Sequence, residues 1–223
     1  METTVLDVSS QQLKSLDEIP DGIVKLNCSF NLLSELPPLP DSLESLNCMK
    51  NKFTVLPDLH KLNNLQSLNC SYNGLLSLPP LPRSLEFLRC EHNKLDSLLE
   101  LQNLTNLRIL ICYYNRLTSI PELPPNIVVF ACSNNNISII PELPKSLTDI
   151  DFNNNPLQEP FLRYYNDYIE DGNINKLIES VNSQYTPGNN SHSNVPLRPN
   201  SRKSRKSRKS RKSKKSSKSR KSR

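Results

Sequence analysis

The sequence has few of the residues from which catalytic and phosphate-binding motifs are built. It contains four glycines and three histidines among its 223 residues. The glycines form no phosphate-cradling loop, and His60, His92 and His192 lie far apart, with no identifiable serine or cysteine partner. We therefore predict no catalytic residues and no cofactor, and we expect that the chain is not an enzyme.

Long apolar runs are also missing. No segment reaches the roughly 18 apolar residues that are needed to cross a bilayer. The first residues, Met1 to Asp7, include neither the basic nor the apolar segment of a secretory signal peptide. These observations predict a protein that does not contact membranes and is not secreted by a classical signal. We expect it inside the cell, in the cytoplasm or the nucleus.

Acidic residues are absent from residues 201–223, which contain only Ser, Lys and Arg. This tail holds 14 of the 28 basic residues and none of the 22 acidic ones, so that residues 1–200 carry a net charge of −8 and the tail +14. The net charge of +6 describes neither region. The asymmetry indicates an acidic folded body with a basic interaction tail.

The rest of the chain is dominated by a repeat of the form LxxLxCxxNxLxxLPxLPxx. Its units are 20 or 22 residues long, and an irregular unit with Leu6, Val8 and Leu13 precedes them, so that about eight units are present. One asparagine column marks the register. Its members are Asn31, Asn51, Asn73, Asn93, Asn115, Asn135 and Asn155.

Within each unit, the second apolar residue and the Cys alternate as in a strand and therefore point to one side. The LPxLP segments cannot be helical, because proline lacks the backbone donor and restrains the preceding residue. The units must stack to bury their leucines. We predict a mainly β solenoid of the α/β type, curved into a horseshoe, with one short parallel strand per repeat and an extended or 3₁₀ convex side.

Six cysteines occupy one fixed position, three residues before the asparagine. Disulfides, a metal site and a nucleophile are the functional alternatives to simple packing. Free cysteine behaves as a small buried hydrophobe, and zinc ligands come in close pairs rather than 20 or 22 residues apart. We predict that the cysteines are core residues and bind no metal. They are Cys28, Cys48, Cys70, Cys90, Cys112 and Cys132.

The repeat resembles that of the leucine-rich-repeat family, and LPxLPxSL is most similar to the short bacterial-type repeats of secreted effectors. The resemblance covers residues 6–160. Two units, containing Leu59 to Leu65 and Leu101 to Leu107, look like the 22-residue class with a short 3₁₀ turn on the back. The bias toward Asn, Ile, Lys and Tyr is similar to that of repeat proteins of giant DNA viruses. The resemblance implies that the asparagines form a ladder inside the bend.

In this family, partners bind on the concave strand face, so the x positions of LxxLxCxxN are the candidates for binding. These positions are small or polar in the N-terminal units and become apolar from the fourth full unit. Exposed apolar clusters mark interaction sites, although β-branched and aromatic residues also simply suit strands. We predict a partner-binding site at Phe87, Arg89, Ile109, Ile111, Tyr113, Tyr114, Val128 and Val129.

After the solenoid, assigned to residues 1–160, the spacing of apolar residues becomes helical. Residues 161–182 are predicted to form a helical C-terminal cap, broken into two helices near Gly172, with Ile169 on the apolar face of the first. Residues 183–200 are rich in Asn, Ser and Pro and are predicted to be a disordered linker. Residues 201–223 are predicted to be a disordered basic tail.

The tail repeats Ser-Arg-Lys four times. Such a run is compatible with nuclear targeting, with non-specific contact to nucleic acid or another acidic partner, and with phosphorylation of its serines. Its candidate residues are Arg202, Lys203, Arg205, Lys206, Arg208, Lys209, Arg211 and Lys212.

The function that we predict is a monomeric, non-enzymatic protein-interaction module that binds a protein partner on its concave face. Two alternatives remain, a nucleic-acid-associated or nuclear-targeted protein acting through the tail, and a structural component that packs acidic material.

Overall fold

The computed structural model describes residues 4–98 and 101–186. Within these ranges, eight strands of three residues form one parallel sheet in the order β1 to β8. The strands are Val5–Asp7, Lys25–Asn27, Ser45–Asn47, Ser67–Asn69, Phe87–Arg89, Ile109–Ile111, Val129–Ala131 and Asp149–Asp151. Two helices follow, α1 (Phe161–Asp171) and α2 (Ile174–Asn182). The predicted solenoid of parallel strands with a helical end is confirmed.

In each three-residue strand from β2 to β8, only the central residue is buried in the core. In β6, Leu110 is fully buried between the half-buried Ile109 and Ile111. The next inward position belongs to Cys112, which is also fully buried. Side chains alternate between the two faces of a strand, so each coil from β2 to β7 places one leucine or phenylalanine and one cysteine in the core. Stacking the coils joins these residues into one continuous apolar core.

The asparagine column closes each bend by bonding backbone groups of two coils. In the fourth full coil, Nδ2 of Asn93 donates to the carbonyl oxygens of Cys90, at 3.1 Å, and of Cys70 in the preceding coil, at 3.0 Å. Its Oδ1 accepts a hydrogen bond from the backbone N–H of Leu75 at 3.0 Å. An amide side chain supplies both the donors and the acceptor that such a site requires. The predicted structural role of the asparagines is confirmed.

The proline-containing segments return the chain in an extended conformation along the convex side. A serine joins successive returns in the 20-residue units, where Oγ of Ser84 donates to the carbonyl oxygen of Leu65 at 2.7 Å. The two 22-residue units differ from each other. Leu101–Asn103 forms the expected 3₁₀ turn, whereas His60 and Lys61 form a simple turn in which Leu62 donates its N–H to the carbonyl of Leu59.

The helical segment covers the last coil by replacing the contacts that a further coil would make. In the earlier coils, each cysteine N–H donates to a carbonyl of the next strand, as Cys132 does to Asp151. Phe152 holds this position in β8's coil, and its N–H donates to the hydroxyl of Tyr165 in α1 at 2.8 Å. Asn182 of α2 likewise exchanges two hydrogen bonds of 2.8 Å with the backbone of Leu143. A side chain thus completes the backbone bonding that the last coil leaves open.

Two details of the predicted C-terminal region are wrong. Ile169, assigned to the apolar face of α1, is 55% exposed, because the helix packs through Phe161 and Tyr165 instead. The linker does not begin at residue 183, since Tyr185 packs on the core and its hydroxyl donates to the carbonyl oxygen of Ile140 at 2.5 Å. Gly172 ends α1 with a φ of 66°, a left-handed conformation that glycine adopts without strain. The basic tail lies outside the described residues.

Candidate protein-binding face

The concave face consists of four parallel columns of side chains that cross the strands. The first and second columns are the outward residues of the strands, which are aligned by the strand register. The third column lies two residues after the end of each strand, and the fourth column lies three residues after it. Successive coils connect these last two columns, since the N–H of Tyr72 donates to the carbonyl of Glu91 and that of His92 to Tyr113. The four columns are positions of each coil that the repeated leucines, cysteines and bonded asparagines do not occupy.

Most of the predicted binding residues fall on these columns. Phe87, Ile109 and Val129 are neighbours in the first column. Arg89 and Ile111 are neighbours in the second column, and Tyr113 follows in the third, with Tyr114 beside it in the fourth. Val128 precedes β7 and is half-buried. We call Phe87, Ile109, Ile111 and Val129 the apolar patch.

The apolar patch is a partly covered surface rather than a set of isolated side chains. Phe87 is 39% exposed, and the other three residues are half-buried. Ile109 lies between Phe87 and Val129 of the adjacent strands, whereas Ile111 lies between Arg89 and Ala131. Lys25, Ser45 and Ser67 take the same first-column positions on β2 to β4. The change from polar to apolar residues therefore occurs between two adjacent strands, β4 and β5.

Beside the apolar patch, the fourth column carries a stack of rings. The ring centroids of Tyr72 and His92 are 4.1 Å apart and those of His92 and Tyr114 are 4.5 Å apart, with nearly parallel planes. All three residues have a φ between 51° and 53°, which is uncommon for residues other than glycine. The repeated left-handed backbone aims every fourth-column side chain the same way, so that the rings stack. We call Tyr72, His92 and Tyr114 the ring stack.

Tyr113 links the ring stack to the strands. Its ring makes edge-to-face contacts with His92, at 5.5 Å between centroids, and with Tyr114, at 5.9 Å. The pKa of its hydroxyl is raised, first because the group is partly removed from water and then because of the negative charge of Glu91. The Tyr113 hydroxyl therefore lies within the electrostatic influence of the Glu91 side chain.

Glu91 is the residue at this face that the sequence analysis missed. It belongs to the third column, between Ser71 and Tyr113, and only 4% of it is exposed. Its Oε2 atom is buried and has no hydrogen-bond partner in the described part of the chain. A signal was present in the sequence, because Glu91 is the one charged residue in a column that otherwise reads Ser9, Ser29, Met49, Ser71, Tyr113, Ser133 and Asn153.

The cysteine column offers no reactive group. All six thiols are free, and each residue is fully buried, as their predicted core position requires. Burial raises the pKa of Cys28 to about 12 and that of the other five well above the usual value. The thiolate is the reactive form of cysteine, so these side chains act as packing residues.

Neither a metal site nor a membrane-spanning helix is found among residues 4–98 and 101–186. No group of three or more His, Cys, Asp or Glu side chains in these ranges is arranged to hold a metal ion. The helices described there are too short and too polar to cross a membrane.

Comparison with solved structures identifies the family. A leucine-rich-repeat domain of a Shigella effector matches with 34% sequence identity and a TM-score of 0.65, over 74% of this chain and 76% of that one. This chain belongs to the leucine-rich-repeat family. YopM, a leucine-rich effector protein from Yersinia pestis, matches this leucine-rich-repeat chain with 35% identity and a TM-score of 0.59, over 68% of it and 49% of YopM.

A third similar structure is the functional domain of InlJ from Listeria monocytogenes, which includes a cysteine ladder. It is 26% identical, with a TM-score of 0.52, over 70% of this chain and 40% of that one. No protein-family profile and no curated protein sequence matches the chain. The relation to bacterial effectors that the repeat motif indicated is thereby confirmed, and the fold is that of protein-interaction modules in general.

Proposed function

We propose that this leucine-rich-repeat chain is a non-enzymatic binding module that holds a protein partner against the concave surface of β5 to β7. The observation that carries the proposal is the apolar patch, in which three first-column neighbours are Phe87, Ile109 and Val129. Contiguous exposed apolar surface marks interaction sites on soluble proteins. The patch adds nothing to the core, which Leu88, Leu110 and Phe130 already fill from the other side of the same strands.

The surroundings of the apolar patch suit a protein interface. Tyrosine and arginine are enriched among residues that dominate binding energy, and Tyr113, Tyr114 and Arg89 border the patch on the second to fourth columns. Tyr114 is 51% exposed, which leaves one face of the ring stack open to a partner. The interface thus combines an apolar centre with a polar and aromatic rim.

The test is affinity capture with the full chain and two matched double variants. Ile111→Glu/Tyr113→Glu places charges in the second and third columns of the proposed site, and Asn47→Glu/Met49→Glu places them at the equivalent positions of β3. All four wild-type residues are half-buried, and urea unfolding of both variants verifies that each is folded before capture. We expect a partner that is retained by the wild type and the β3 variant and lost by the β6 variant. Equal retention by both variants would contradict the proposal.

A second candidate activity rests on the charge of the tail. Residues 201–223 carry 14 positive charges and no negative ones. If the tail binds nucleic acid through phosphates, affinity is independent of base sequence and falls about a thousandfold between roughly 50 and 200 mM salt. A chain ending at Asn200 should lose this binding and keep the protein partner. Nucleic-acid binding that is independent of salt, or that is retained without the tail, would exclude this activity of the tail.

A further inference from the structure

The Glu91 carboxylate has no partner within the described part of the fold. Its Oε2 atom is buried without a hydrogen bond, and neither salt bridge in that part of the chain involves it. An unpartnered buried carboxylate oxygen is costly, and such groups in native proteins call for an explanation. Among the eight coils, Glu91 is the one charged residue at this position, where three of the others have Ser29, Ser71 and Ser133.

The position of Glu91 connects both features of the candidate site. It lies in the third column, whose neighbouring side chain is Tyr113, and its negative charge acts on the Tyr113 hydroxyl. The ring stack follows in the fourth column, where His92 contacts Tyr72 and Tyr114 face to face. A carboxylate and the flat face of an aromatic ring are the two groups that a guanidinium binds at once, the first through charged hydrogen bonds and the second by stacking.

We propose that Glu91, Tyr113 and the ring stack form a subsite for an arginine side chain of the protein partner. This inference rests on the proposed function and specifies the chemistry of the partner, an arginine-containing segment that lies across β4 to β6. Because only 4% of Glu91 is exposed, the guanidinium reaches the carboxylate by displacing the half-buried ring of Tyr113, its neighbour in the third column. The net charge of −8 on residues 1–200 favours the approach of such a basic segment.

The guanidinium fits the subsite better than an ammonium group does. Its planar shape suits the outer face of Tyr114, which is 51% exposed, because the inner faces of the ring stack already lie against one another at 4.1 and 4.5 Å between centroids. A lysine ammonium is a compact and strongly hydrated charge without a face to stack. Arginine should therefore bind more tightly than lysine, and a neutral side chain of the same shape should not bind.

The test is an NMR titration of the full chain with three capped tripeptides, acetyl-Gly-X-Gly-amide, in which X is arginine, lysine or citrulline. Citrulline keeps the shape of arginine and lacks its charge. The same titrations on a chain ending at Asn200, which retains all described residues, remove competition by the tail's own arginines and lysines. We expect saturable shifts of the Glu91, His92 and Tyr113 signals with arginine, weaker shifts with lysine and none with citrulline.

Variants separate the subsite from general attraction to an acidic surface. Glu91→Gln should weaken arginine binding at least about tenfold, the effect of losing a charged hydrogen bond. Glu86→Gln removes a half-buried carboxylate just before β5 and should leave the affinity unchanged. Should Glu91→Gln fail to fold, Tyr114→Ala, at an exposed position, serves instead and should weaken binding severalfold through loss of stacking.

Equal binding of arginine and citrulline, or full arginine binding by Glu91→Gln, would overturn the inference. In another outcome, Ile111→Glu/Tyr113→Glu loses the protein partner while Glu91→Gln keeps both the partner in affinity capture and the arginine peptide in the NMR titration. That result would overturn the arginine subsite and leave the proposed function standing. Retention of the partner by both double variants, described above, would instead overturn the proposed function.

Discussion

Strands β2 to β4 and strands β5 to β7 share one interior and present two different surfaces. Inside, each coil contributes a buried leucine or phenylalanine, a buried cysteine and a bonded asparagine. Outside, the first column changes from Lys25, Ser45 and Ser67 to Phe87, Ile109 and Val129. The comparison shows that stacking fixes the inward positions, whereas the concave positions vary without changing the fold. Surface differences between coils are therefore where function can be sought.

The largest expected effect comes from breaking the shared interior. Asn93→Ala removes the donor to three carbonyl oxygens and the acceptor for the Leu75 N–H, all of them in buried bonds. Unsatisfied buried backbone groups are expensive, so we expect the free energy of unfolding to fall by about 3 kcal/mol. Urea denaturation followed by circular dichroism measures this loss.

Asn47→Ala is the control for this experiment. Asn47 is a half-buried concave residue whose Oδ1 accepts, among the described residues, only the N–H of Met49, at 3.2 Å. Its loss should cost less than about 1 kcal/mol. Equal losses in both variants would show that the asparagine column is no more structural than the concave face.

A second interior change tests the cysteine column. Cys112→Ser buries a hydroxyl among apolar side chains, where no bond from the sulfur is found within the described residues, and should lower stability by about 2 kcal/mol. Cys70→Ser is the matched variant, because Sγ of Cys70 lies 3.4 Å from the carbonyl oxygen of Arg89, which the new hydroxyl can use. We expect a loss of less than about 1 kcal/mol there. Identical unfolding midpoints would contradict this distinction.

The cap gives a smaller effect. Tyr165→Phe removes the hydroxyl that accepts the N–H of Phe152 at 2.8 Å, and leaves that N–H buried without a partner. We expect a loss of about 1.5 kcal/mol. Hydrogen exchange of the Phe152 amide should speed up markedly, while that of Leu26 in β2 stays unchanged. Protection of Phe152 that survives the substitution would mean that another acceptor replaces the hydroxyl.

The sequence predicted the interior well because every inward position repeats. The spacing of the leucines, cysteines and asparagines is enough to place Leu110, Cys112 and Asn115 in one coil. The concave face was harder, because burial there depends on neighbouring coils and not on the repeat. Glu91 appears in the sequence as one exposed acid among many, and only the stacked coils bury its carboxylate beside Tyr113. Ile169 was misplaced because helical periodicity alone does not say which face meets the solenoid.

The smallest expected effect comes from transferring the apolar patch to the polar half. Ser45→Phe/Ser67→Ile copies Phe87 and Ile109 onto the aligned first-column positions of β3 and β4. Bulky and β-branched residues suit strands, and surface substitutions away from special contacts change stability by less than about 0.5 kcal/mol. We expect unchanged urea unfolding and a lower solubility, since the apolar residues of the first column across β3 to β7 increase from three to five. A loss above about 1.5 kcal/mol would show that the small residues of β3 and β4 are required by the fold, so that the two halves of the concave face differ in structure as well as in surface.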